Sequence, residues 1–276
     1  MKNRLFTFGC SFTQYVYPTW VDFLALNTNR YDEVHNFGRS GAGNKYILAA
    51  LLSAMEEHQI GFHNDTVAVM FSSCVRYDYM SSGNDYITSG NFFNSKTYRD
   101  HPEAFKEMWS LHTGILDAWV GVESFIRIVE GLGCNFLPVM SAFGKDYSLL
   151  EYNAPDHLAV PGTLESSSIK DRFLQWLPDT NLRDFSIARS GHEKYTFDPI
   201  PPNTNQPYID GHPSIMDHCG WVEKELSDWF SPEFWDKAQE WEDTIIKKGF
   251  HETRDAYFNH LNKTNLVLHL GTKTFK

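Results

Sequence analysis

Ser11 stands just behind a short apolar run, Leu5, Phe6 and Phe8, in the segment "RLFTFGCSFTQYVYPTW". A serine hydroxyl attacks a carbonyl carbon only when a neighbouring base takes its proton, and that base needs an acidic partner to orient it. The stretch "DGHPS" supplies both: Asp210 and His212 flank a single glycine on one loop. Negative charge developing on a tetrahedral intermediate also needs fixed N–H donors, which a glycine loop opening a helix provides. "NFGRSGAGN", from Asn36 to Asn44, has that form. Each of these signals is weak alone, since a serine ending a strand is most often an ordinary turn residue. Together, and with "SSCVRYD" as a further unusual stretch, they point to acyl chemistry on a serine.

Such groups must be brought together by the fold, and the apolar patterning describes one. "RLFTF", "EVHNFG", "DTVAVMFSS" and "CNFLPVM" are short apolar runs that predict strands, the third fully buried. Between them, "PTWVDFLALN" and "KYILAALLSAMEEH" carry helical spacing, and a long helical region runs from about Pro102 to Leu132. Strand alternating with helix predicts an α/β fold with a parallel sheet covered on both faces. In such a sheet ligands bind beyond the carboxyl ends of the strands, and all four stretches fall at such ends or lead into a late helix starting near Pro213. Residues 1–230 are expected to form one domain with irregular insertions near 79–101 and 141–208, and 231–276 a C-terminal helical extension.

Composition narrows the function. The chain has 276 residues, a hydrophobic fraction of 42% and an aromatic fraction of 15%, enough for a folded core. A formal charge of −11 and the lack of any basic run argue against a nucleic-acid partner. No stretch has the apolar length of a transmembrane segment, and the N-terminus lacks the apolar core of a signal peptide. Cys10, Cys74, Cys134 and Cys219 are scattered, which fits free thiols in a reducing, cytoplasmic setting. Asp210, His212, His218 and Cys219 invite a metal reading, but a helix opening at Pro213 carries His218 more than a turn from His212. The tail histidines His251, His260 and His269 are too far apart for a site and are expected at the surface, so no metal and no cofactor is expected. Trp229, Trp235 and Trp241 recur at a spacing that drifts around a helix, which suits core packing or a homo-oligomer contact better than sugar stacking. The glycine loop lacks the Lys-Ser/Thr of a P-loop.

The four stretches, in order and position, resemble the SGNH (GDSL-like) hydrolases, esterases with a flavodoxin-like three-layer α/β/α fold. Gly9-Cys10-Ser11-Phe12-Thr13 looks like a variant of the family's nucleophile block. Asn36-Phe37-Gly38-Arg39-Ser40-Gly41 matches its Asn-x-Gly-x-x-Gly block. Asp210-Gly211-His212-Pro213 matches its final block in a short Asp-x-His form. The resemblance spans Leu5 to about Glu225 and implies Ser11 as nucleophile, His212 as base and Asp210 as its orienting acid. It implies oxyanion donors at the N–H groups of Ser11 and Gly41. It also places Ser11 above Cys10, a rival nucleophile standing where the family has aspartate.

In the third block the family's oxyanion asparagine is replaced by Cys74, a weak donor. Arg76 is the expected substitute, as an oxyanion or substrate contact, with a salt bridge to Asp78 as the alternative. Asn44 either caps the helix it opens or turns its amide to the same pocket. The implied substrate is a small acyl ester, plausibly on a carbohydrate, with hydrolysis and transfer to another sugar both compatible. The competing reading is an SGNH frame kept as a glycan- or protein-binding scaffold. The "GCSFT" opening is similar to SGNH members from bacteria and their phages.

Overall fold

The computed structural model describes residues 2–27, 29–61, 64–73, 76–80, 86–91, 111–140, 182–190, 195–197 and 208–269. Its centre is a parallel sheet of β1 (Arg4–Gly9), β2 (Glu33–Asn36), β3 (Asp65–Phe71), β6 (Asn135–Met140) and β9 (Leu266–Leu268), in the order β6-β3-β1-β2-β9. β1 and β3 lie inside the sheet and are buried on both faces; every residue of β3 is buried, as the apolar run Val67–Phe71 requires. Two antiparallel pairs lie off this sheet: β4 (Arg76–Met80) with β5 (Tyr86–Asn91), and β7 (Tyr195–Phe197) with β8 (Tyr208–Asp210). They sit at the ends of the expected insertions, whose remaining residues fall largely outside the described ones.

Among the described residues the α-helices are α1 (Trp20–Leu26), α2 (Asn44–His58), α3 (Leu111–Leu132), α4 (Leu182–Ser190), α5 (Ile215–Glu225), α6 (Glu233–Trp241) and α7 (Phe250–Leu261). The Phe6 and Phe8 side of β1 meets α2 and α3: Phe8 packs edge-on to Phe125 at 5.6 Å, and Phe6 lies 5.7 Å from the His58 ring. α1, α5 and α6 form a second packed group, in which Trp20 meets Trp221 and Phe23 meets Phe234 and Trp241. The fold is therefore α/β, a parallel-strand central sheet with helices in a three-layer arrangement. α5 begins as expected beyond Pro213. The Ser214 hydroxyl accepts from the Asp217 N–H at 3.0 Å and the Asp217 carboxylate accepts from the Ser214 N–H at 2.9 Å, a reciprocal cap.

The tail does more than add helices. After α7 the chain turns into β9, which pairs parallel to β2 through Val34↔Leu266, His35↔Val267 and Asn36↔Leu268. The Tyr257 hydroxyl of α7 donates to Asp22 of α1 at 2.9 Å, so the tail is fastened to the first helix as well. Asp22 is buried, which raises its carboxyl to about pH 6, against the opposing pull of bonds from Thr19 and Tyr257. In the unfolded chain the group titrates near 3.8. The protonated form thus favours the fold fully below that value, and the contribution is lost as pH rises through about 6. At about pH 7.5 Tyr257→Phe removes a bond to a charged carboxylate, worth about 1.5–3 kcal/mol; at about pH 4.5 it removes one to a neutral carboxyl, worth about 1 kcal/mol. Thermal melts of both proteins at the two pH values should show the larger deficit at the higher pH, and equal deficits would refute this account.

Candidate active site

β1 ends in a tight turn that aims Ser11. The Cys10 carbonyl accepts from the Thr13 and Gln14 N–H groups at 2.9 and 3.1 Å, closing one turn directly behind the strand. The Thr13 carbonyl is then held from two sides, by the Asn36 amide and the Thr19 hydroxyl, each at 2.8 Å. Gly9 is required here, since a Cβ on it would lie 2.0 Å from the Thr13 hydroxyl oxygen. Asn36, the last residue of β2, also accepts from the Gly38 N–H at 2.8 Å, and the Arg39 N–H donates to the Gly9 carbonyl at 3.0 Å. The glycine loop is thereby strapped against the serine turn. It passes through Gly41 at φ +82°, in the left-handed region that side-chain-bearing residues rarely enter.

His212 reaches this turn from the other end of the chain. Its Nε2 lies 2.9 Å from the Ser11 Oγ, and its Nδ1 lies 2.6 Å from Asp210 Oδ1. Asp210 Oδ1 also accepts from the His212 backbone N–H at 3.1 Å, while Oδ2 accepts from the Tyr17 hydroxyl at 3.0 Å. Tyr15 approaches Oδ1 at 3.4 Å. Asp210 has no solvent exposure. Burial alone would lift its pKa, but the bonds from His212, its charge when protonated, and Tyr17 outweigh that and hold the carboxyl below its ordinary value. A carboxylate can only accept, so it fixes the proton of a neutral His212 on Nδ1 and leaves the Nε2 lone pair to accept the Ser11 O–H.

Three aromatic residues that the sequence does not single out hold the His212–Asp210 pair, two on the imidazole and one on the carboxylate. The Tyr15 ring stacks on it at 4.0 Å between centroids, and Phe12 meets it edge-on at 5.5 Å. The Tyr17 hydroxyl has one proton to share between Asp210 Oδ2 and the Pro213 carbonyl, at 3.0 and 3.1 Å. Their signal was present in "SFTQYVYPTW", a cluster of aromatics immediately behind the serine, but nothing in one dimension says that it faces residue 212.

The third block behaves differently from the expectation. Asp78 forms no ion pair with Arg76; its carboxylate accepts from the N–H groups of Gly43 and Tyr46, at 2.9 and 2.8 Å, and so caps the start of α2 from another strand. Burial raises the Asp78 carboxyl to about 6, with these two bonds and the nearby charge of Arg76 opposing. Asn44 is not the cap, a position held by Gly43, and it lines the same recess as Arg76. Its amide exchanges two hydrogen bonds with the Ser72 backbone, at 2.9 and 2.8 Å, locking α2 to the end of β3. Arg76 lines a small recess with Asn44, Lys45, Ser73, Tyr77, Asp117 and Ala118, in which Lys45 and Asp117 pair at 2.6 Å. Cys74 lies outside the described residues. Among the described residues no backbone hydrogen bond is recorded from the N–H groups of Ser11 and Gly41.

Cys10 is fully buried, whereas Ser11 carries the contact with His212. His218 is turned inward, where its Nδ1 accepts from the Trp20 N–H at 3.3 Å, away from any shared site with His212. Of the three tryptophans, Trp241 is buried, and Trp229 and Trp235 pack against the core. The tail histidines require a correction. His251 is exposed and His260 packs on Trp241, but His269 sits beside His35 and His58, because β9 returns it to the sheet. Compared with protein-family models, curated proteins and solved structures, the chain matches none.

Asp78→Ala leaves two donors at the start of α2 without their acceptor, at a cost of about 1–3 kcal/mol. Faster amide exchange at Gly43 and Tyr46 and a lower melting temperature are the expected readouts, and unchanged exchange at both would contradict the cap.

Proposed function

We propose that the chain is a serine esterase of the SGNH type, acting on a small acyl ester. The observation that carries this reading is the unbroken Ser11–His212–Asp210 chain of contacts, at 2.9 and 2.6 Å, anchored on a buried carboxylate. Ser11 Oγ attacks the acyl carbon while its proton passes to His212 Nε2, and Asp210 stabilises the imidazolium that forms. The oxyanion is received by the N–H groups of Ser11 and Gly41, with Arg76 as a further contact. Collapse of the intermediate breaks the ester C–O bond, and His212 returns the proton to the departing alkoxide oxygen. Water, or a sugar hydroxyl, then attacks the acyl-enzyme with His212 again as base, releasing the acid or a new ester. Ser11 retains only 3% exposure, which favours an acyl group of a few carbons over a long chain. A carbohydrate ester is the substrate class suggested by the resemblance, and no cofactor enters this scheme.

A fluorophosphonate probe should label the wild type and not Ser11→Ala, with p-nitrophenyl acetate turnover lost in parallel. Asp210→Asn should lower kcat by about 10⁴-fold by offering the wrong tautomer. Tyr17→Phe should cost about tenfold in kcat, the equivalent of one hydrogen bond of about 1.4 kcal/mol, with KM little changed. A folded wild type that neither labels nor turns over would sink the esterase reading and leave a binding scaffold.

A further inference from the structure

Three histidines distant in sequence converge on one side of the sheet: His35 of β2, His58 at the end of α2, and His269 just after β9. One ring nitrogen from each lies within 4.8 Å of the others, and His35 Nδ1 stands 3.1 Å from His269 Nε2. A tetrahedral metal with bonds of about 2.0–2.1 Å places its nitrogen ligands about 3.3 Å apart, so the first two are already at ligand spacing. Only His58 has to close in, and it is the partly exposed ring at a helix end.

The surroundings match the same chemistry. The other nitrogen of His35, Nε2, is buried without a hydrogen bond and lies 3.5 Å from the Glu33 carboxylate, close to the arrangement in which a carboxylate orients a ligating imidazole. Phe6 stacks on His35 at 4.9 Å and Phe37 on His269 at 4.0 Å, so both rings are held from their faces.

We propose that His35, His58 and His269 form a binding site for a borderline divalent transition metal of the zinc class, with Glu33 as the outer carboxylate and the fourth position open to water. Imidazole nitrogens suit zinc, and the set offers no hard oxygen cage of the kind calcium or magnesium requires. Coordination draws on lone pairs, so the proton shared between His35 Nδ1 and His269 Nε2 must leave that contact. His35 then keeps its proton on Nε2 toward Glu33, and His269 keeps its own on Nδ1. The bound ion joins β2, α2 and β9, pinning the terminal strand to the sheet edge. The site is separate from the serine chemistry and does not rest on it.

The test is calorimetric titration of chelator-treated full-length protein with Zn²⁺, alongside Co²⁺ as an optical probe and melting with and without Zn²⁺. One equivalent should bind, with a tetrahedral Co²⁺ spectrum and a raised melting temperature. Glu33→Gln should weaken binding about 10–100-fold, and His58→Gln and His269→Gln at least as much. His251→Gln, exposed in the tail, should change nothing. If the folded wild type binds no Zn²⁺, or if folded His58→Gln binds it as wild type does, the proposal is wrong. His58 is partly exposed, so its variant decides the matter even if His269→Gln folds poorly.

Discussion

Asp210 carries a charge in a place with no solvent, and the structure around the site is arranged to meet that requirement. An isolated buried carboxylate would take up a proton; this one is held ionised by contacts from both ends of the chain. His212 answers it with its ring and its own N–H, and Tyr17 with its hydroxyl. Tyr17 belongs to the segment that leaves β1 and enters α1, so satisfying the carboxylate also docks the serine turn against the loop that carries His212. The separation of Ser11 from His212 follows from how Asp210 is neutralised, with Tyr15 stacking to set the plane of the imidazole.

Asp78 shows what a buried carboxylate does with different partners. Its bonds come from neutral backbone donors at the head of α2, and burial prevails, lifting it to about 6. Asp210 has an imidazole that can take a positive charge, and the direction reverses. The first carboxylate is used to hold a helix end and the glycine loop in front of it, the second to orient the His212 imidazole. Asn44 and Asn36 complete the same frame with side-chain bonds to backbone, one to Ser72 and one to Thr13. Backbone groups at the strand ends thus find partners that leave the loops little freedom.

The last described strand extends the sheet beyond β2. β9 covers β2, α7 is tied to α1 through Tyr257 and Asp22, and His269 is delivered to two histidines from the first quarter of the sequence. An edge strand left bare would present unpaired backbone groups, and three residues of parallel pairing suffice to occupy them here.

The order of strands and helices in the first half was legible in the sequence because fully buried strands leave an apolar run and amphipathic helices a period, both local properties of the chain. Ser11, Asp210 and His212 were likewise legible, since residue type and position at a strand end or helix start mark them. β9 was not, because Leu266–Leu268 is too short for its pattern to stand out and its pairing with β2 is a long-range event. The roles of Tyr15, Tyr17, Asp78 and His269 were hidden for a related reason. Each is an ordinary residue until another segment arrives, and which donor meets which acceptor depends on distances that spacing along the chain does not encode. The sequence by itself determined the class of fold and the kinds of groups available. Tertiary structure alone decided that Asp78 caps α2 instead of pairing with Arg76, and that Asn44 turns to Ser72. It did so because a buried polar atom takes whichever partner the packing brings within hydrogen-bond reach.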